Sequence, residues 1–166
     1  ADIRVNPDPD RGQLSSIQLA LGDIGPEYAA GMIWPVDQPA VSEDLVRRLA
    51  ELFLSSESRI VFPRCGAKRG HPAIFHRDLF QEFMDTPLEE GPKKILLRHQ
   101  KETTELPTLE SAAIQDIDTP SDYLALTGTA SRLASASSTV NSTSPSRHGL
   151  AMYADAPSDR TRATSS

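Results

Sequence analysis

"AAGMIWPVDQPAVSEDLVRRLAELF", residues 29–53, runs from an unbroken apolar stretch through an aspartate bracketed by prolines into an amphipathic repeat. Ala29 to Trp34 has the continuous apolar character of a strand buried on both faces. Ser42 stands where a helix N-cap is expected, with Glu43 and Asp44 in the first turn, where unpaired backbone N–H groups favour negative charge. Leu45, Val46, Leu49, Leu52 and Phe53 then recur at helical spacing, giving one core-facing stripe. Strand, short loop and helix in that order are the unit of an α/β fold.

The pattern continues on both sides. "ADIRVN" (1–6) reads as a short strand, "PDPDRG" (7–12) as a turn-rich connection, and "SSIQLALGDI" (15–24) as a helix capped by Ser15 or Ser16. "SRIVFP" (58–63) predicts the next strand, and "RDLFQEFM" (77–84) and "PKKILLRHQ" (92–100) predict short helices. "TTELPTL" (103–109) and "AAIQDI" (112–117) are strand candidates, the first confined by Pro107 to an edge or bend. Thr119, Pro120 and Asp122 form a capping-box start for a last helix. The expected fold is therefore α/β, a Rossmann-like, mostly parallel sheet with helices on both faces.

Composition divides the 166 residues unevenly. Residues 128–166 are rich in Ser, Thr and Ala and read as a disordered tail, because they carry too little apolar surface to offset the entropy of ordering. Residues 1–127 are then the folded domain. The tail's four arginines outweigh its two aspartates, so the domain is more acidic than the whole-chain charge of -6. A nucleic-acid partner is not expected on that balance. No apolar stretch is long enough to span a bilayer, so no membrane partner is expected. The single cysteine, Cys65, excludes an internal disulfide framework and accords with a cytoplasmic location.

Three stretches carry candidate chemistry. In an open α/β sheet, ligands bind outside the carboxyl ends of the strands, where Asp37 follows its buried strand. Pro35 and Pro39 restrict the directions it can take, and a stiff carboxylate suits a hard cation such as Mg²⁺. Asp37 also reads as an acceptor for a backbone N–H in the strand-to-helix turn, where Asp is common. Asp116 and Asp118, two apart on an extended segment, face one side and complete a possible cluster with Asp37; helix capping and dipole compensation account for them as well. In "PRCGAKRGHP" (63–72), Arg64, Lys68 and Arg69 cluster between Gly66 and Gly70, with His71 beside Pro72. These residues suit a phosphate-bearing substrate, or form a solvated basic loop. His76, His99 and His148 have no spacing that assembles a zinc site with Cys65.

Five motifs in order, "NPDPDRGQLSSIQLAL" (6–21), "PVDQPAV" (35–41), "RGHPAIFHRDLF" (69–80), "GPKKILLRH" (91–99) and "DIDTPSDYLAL" (116–126), give a chain that resembles the MobA-like NTP transferase family, and within it the molybdenum cofactor cytidylyltransferases. The resemblance implies transfer of a nucleotide from CTP or GTP to molybdopterin or a similar phosphorylated acceptor, with release of pyrophosphate. It implies Asp37 and Asp118 as Mg²⁺ ligands with Asp116 assisting, His71 in the acceptor pocket beside Arg69 and Gly70, and Ser15 and Ser16 near the nucleotide. The family's opening strand and Gly-rich loop, of the type Leu-Ala-Ala-Gly-x-Ser-x-Arg-Met-Gly followed by Lys, have no counterpart in these residues. The expectation is of an incomplete nucleotidyltransferase that binds NTP poorly. A non-catalytic interaction module of the same fold and a sugar-phosphate nucleotidyltransferase are the alternatives.

Overall fold

The computed structural model describes residues 3–134 and 150–155. Among them, six strands form one sheet: β1 (Ala30–Pro35), β2 (Ile60–Cys65), β3 (Lys68–Arg69), β4 (Ala73–His76), β5 (Thr103–Thr108) and β6 (Leu150–Asp155). β1 and β2 both run antiparallel to β4, which lies between them, so they are parallel to each other. β5 joins β2 in parallel and β6 joins β1 in parallel, so that β5, β2, β1 and β6 share one direction. β3 is the short return arm of a hairpin on the far half of β2, turned at Gly66 with φ of 60°.

Helices cover both faces, as the alternation of side chains dictates. Ile33, Ile60, Phe62, Ala73 and Phe75 point to one side, where they meet α1 (Gln13–Gly22), α3 (Phe80–Asp85) and α4 (Lys93–Arg98). Met32, Val61 and Ile74 point to the other side and pack on α2 (Glu43–Ser55) through Leu45, Leu49 and Phe53. Phe83 is fully buried and meets Phe75 edge-on, their ring centroids 5.0 Å apart.

The caps show how local sequence positions these elements. Ser42 Oγ accepts from the Leu45 N–H at 3.1 Å, and the Glu110 carboxylate accepts from both Ser42 N–H (2.6 Å) and Ser42 Oγ–H (2.7 Å), tying the exit of β5 to the start of α2. α5 (Pro120–Ala134) opens with the expected reciprocal pair, Thr119 N–H donating to Asp122 at 2.9 Å and Asp122 N–H to Thr119 Oγ1 at 3.2 Å.

Three local expectations are corrected. The residues of "ADIRVN" that are described form no strand. The N-cap of α1 is Gly12, and Ser15 instead donates its hydroxyl to the Gly12 carbonyl at 2.7 Å. "AAIQDI" forms no strand: Ser111–Ile114 is a 3-10 turn and Gln115 leaves it in extended conformation. Of residues 128–166, read from sequence as a tail, those up to Ala134 lie in α5 and 150–155 in β6, and the rest lies outside the described residues. Among the described residues no helix is long and apolar enough to cross a membrane.

Candidate functional site

The site is assembled by backbone bonds among three loops that are far apart in sequence. The Ile117 N–H donates to the Asp37 carbonyl at 2.8 Å, which lays the acidic segment 115–118 against the loop leaving β1. The His71 N–H donates to the Ala113 carbonyl at 2.8 Å, and the Gly70 N–H to the Pro63 carbonyl at 2.8 Å, which fixes the loop before β4 between β2 and the 111–114 turn. Position 70 has room only for glycine, because a Cβ there would stand 2.2 Å from the Ala113 carbonyl oxygen. The sequence reads Gly70 as part of a substrate loop, and its backbone packing gives that loop its place.

Asp37 consequently feels the charges of Asp116, Asp118 and His71, and His71 those of Asp116 and Asp37. Burial raises the Asp37 carboxyl above its ordinary value; the charges of Asp116 and Asp118 push it further, while a backbone N–H and His71 oppose. Asp37 Oδ1 is buried and has no hydrogen-bond partner. Burial holds the His71 imidazole below its ordinary value against the pull of Asp116 and Asp37, so near neutral pH it is an uncharged ring able to donate one hydrogen bond.

Gln38, which the sequence reading passed over, is 6% exposed and donates through Nε2 to Asp116 Oδ1 at 2.6 Å. Its own carbonyl accepts from Trp34 Nε1–H at 2.9 Å. The prolines around it mark a loop, and nothing local signals that a glutamine there reaches an aspartate 78 positions away.

On the α1–α4 side, His71, Gly70 and Arg69 line a cavity of about 210 Å³. Its walls are apolar, from Ile17, Ile33, Phe62 and Phe75, and its polar groups include Gln13 and Lys93. Arg69 lies over the Phe62 ring at 4.9 Å and reaches Glu105 at 3.4 Å; Arg64 also pairs with Glu105. A mainly apolar hollow with a few convergent cations and one neutral imidazole suits an anionic ligand with a flat or apolar body. Gln13 and Lys93 carry no local signal beyond standing near helix starts.

Ser15 and Ser16 fall elsewhere. Both accept hydrogen bonds from Asn6 Nδ2, at 2.8 and 2.9 Å, which pins the chain before α1 to the helix, and neither lines the cavity.

Among the described residues, no group of three or more His, Cys, Asp or Glu side chains is arranged to hold a metal ion by itself. The acidic rim fits a sparser arrangement. An unpaired buried carboxylate oxygen among like charges suits a hard cation that keeps most of its own waters and takes only one or two protein oxygens.

Comparison with known proteins gives this geometry its context. No curated protein sequence matches the chain. Among solved structures it is similar to Rv0371c from Mycobacterium tuberculosis H37Rv, with 27% identity and a TM-score of 0.56, covering 67% of this chain and 56% of that one. A structure of Rv0371c complexed with manganese matches with 26% identity and a TM-score of 0.54, covering 67% of this chain and 58% of that one. The fold is shared with molybdopterin-guanine dinucleotide biosynthesis protein A from Archaeoglobus fulgidus, with 18% identity, a TM-score of 0.54, and 73% and 64% of the two chains covered. The chain thus spans less than two thirds of the length of these solved relatives. The model of the MobA-like NTP transferase domain matches residues 1–103, more than half of the 166, and the chain belongs to that family.

Proposed function

We propose that the chain acts as a nucleotidyltransferase that moves CMP from CTP to the phosphate of molybdopterin or a similar phosphorylated acceptor, releasing pyrophosphate. The observation that carries this reading is the buried, unpartnered Asp37 oxygen at the carboxyl end of β1, among Asp116 and Asp118 and beside the His71 cavity. Family membership supports the reaction class, and the manganese complex of Rv0371c supports the use of a divalent metal.

Asp37 and Asp118 would hold the ion, Mg²⁺ in this reading, with Asp116 orienting. A cation so held supplies charge neutralisation for a triphosphate. His71, Arg69 and Lys93 bind and orient the acceptor, with the neutral imidazole donating to a phosphate oxygen and the two cations offsetting its charge. An acceptor phosphate oxygen attacks the α-phosphorus of the nucleotide; that bond forms as the bond to the β-phosphate bridge breaks. The attacking oxygen is already anionic, so the mechanism requires no general base. Asp37, Asp116 and Asp118 are therefore assigned to binding and positioning, not to proton transfer.

The test is pyrophosphate release by the full chain from CTP, and separately from GTP, with molybdopterin and Mg²⁺. Release with CTP is expected to be slow, because the Gly-rich loop has no counterpart in these residues, and to fall about 100-fold or more in Asp37→Asn. The same release by Asp37→Asn and the wild type overturns the assignment. A second reading, a non-catalytic module of the same fold, draws on the absence of a three-ligand metal group among the described residues and on Ser15 and Ser16 being held by Asn6. It is favoured if no nucleotide and no acceptor supports release.

A further inference from the structure

Gln38 occupies an unusual position, since a buried amide ordinarily has both ends satisfied. Its Nε2 is committed to Asp116 Oδ1 at 2.6 Å, and that bond fixes which end of the amide is which, because an oxygen turned to the carboxylate would be repelled. Oε1, at the other end, is buried and has no partner in the protein. The backbone on either side is rigidly held: the Gln38 N–H donates to the Pro35 carbonyl at 3.2 Å and Trp34 donates to the Gln38 carbonyl. The next residue upstream, Asp37, has the only other buried side-chain atom of this kind among the described residues. Two orphan oxygens on consecutive residues leave acceptors open, and a hydrated cation brings both charge and O–H donors.

Resting on the cation reading above, we infer that Gln38 is a positioning residue: it clamps the otherwise exposed Asp116 carboxylate onto the Asp37 loop and offers Oε1 to a water of an incoming divalent ion. Outer partners of metal-binding carboxylates act in this way by holding the ligand in a single orientation. Asp116 needs such a clamp more than Asp37 does, because it sits on an extended segment, whereas Asp37 is held between two prolines.

The probe is Mn²⁺, titrated to millimolar concentration against the full chain without nucleotide and read by loss of the free-ion spin-resonance signal. Gln38→Met keeps the volume and removes both polar ends; it is expected to weaken Mn²⁺ binding about tenfold. In an Asp116→Asn background the same change is expected to cost about twofold or less, because the clamp then has no charge to orient. Gln38→Asn, a buried amide one methylene shorter, is expected to lose affinity as Gln38→Met does and serves if the methionine variant does not melt cooperatively. Wild-type affinity in both Gln38 variants, or an undiminished loss in the Asp116→Asn background, overturns the clamp alone. Mn²⁺ uptake that survives Asp37→Asn, or no uptake by the wild type, overturns the cation reading and the clamp with it.

Discussion

His71 and His99 each stand among carboxylates, and their surroundings differ in one respect. Around His99, every acid has a partner. Nε2 meets Glu82 at 2.5 Å and Nδ1 meets Glu102 at 3.3 Å; Arg98 reaches Glu82 at 3.1 Å and Glu90 at 3.0 Å; and Arg59 pairs with Glu102 at 3.1 Å. These bonds connect α3 and α4 to the chain entering β5. Around His71, Asp37 has a buried oxygen without a donor, and Asp116 and Asp118 raise its carboxyl instead of balancing it. A set of charges that satisfies itself is structure, whereas a set that leaves buried acceptors open is stable only at a cost and is where a ligand contributes most.

Substitutions separate the two clusters. The largest effect is expected from Asp37→Asn, which should lower pyrophosphate release by about 100-fold or more while leaving the melting temperature unchanged or higher, because it removes a charge that the fold disfavours. Turnover by enzyme assay and a thermal melt of the same preparation check both halves. His99→Ala should do the reverse. It is expected to cost about 1 kcal/mol of stability by removing one of the two partners of Glu82, Arg98 remaining as the other, with Mn²⁺ affinity equal to that of the wild type. A His99→Ala protein that loses Mn²⁺ affinity without losing stability would erase the distinction.

Acidity gives a third, smaller separation. Burial pushes the Glu82 carboxyl up, but hydrogen bonds from His99 and Arg98 outweigh it and hold the group below its ordinary value of 4.5. A carboxyl depressed on folding contributes stability that is fully present above its unfolded value and is lost as pH falls through the folded one. Stability should therefore decline below about pH 4.5, and Glu82→Gln should flatten that decline in denaturant titrations. Asp37 has the opposite sign: its carboxyl is raised, so ionising it in metal-free buffer costs stability as pH climbs above 3.8. Asp37→Asn should remove that cost. A steeper acid decline in Glu82→Gln would contradict the assignment. The smallest effect is expected from Ser42→Ala, about 1 kcal/mol from the lost cap of α2, seen as a shift in denaturation midpoint with Mn²⁺ binding retained.

The two clusters also differed in how far they could be read from sequence. His99 has no local pattern that announces Glu82, 17 positions upstream, since both lie on short helices whose packing angle is set by Phe83 and Ile95 in the core. Asp37, by contrast, was legible because a buried strand, two prolines and a capped helix leave few places for the residue between them. Asp116 and Asp118 were legible as candidates, but not the bond from Ile117 to the Asp37 carbonyl that brings them to the rim. Ser15 and Ser16 are placed near the nucleotide by the resemblance alone, and no local pattern announces the bonds that both accept from Asn6, nine and ten positions upstream.

What residue order alone determined here is the succession of strands and helices, since apolar periodicity and capping act over a few neighbouring residues. The two-sided core, the capping of α2 by Ser42 and the reciprocal start of α5 all follow from such short-range rules. Tertiary structure alone decided that β4 enters antiparallel between β1 and β2, that Gly70 makes room for the Ala113 carbonyl, and that Gln38 reaches Asp116. Those outcomes depend on contacts between segments tens of residues apart, which chain closure brings together and which no local pattern encodes.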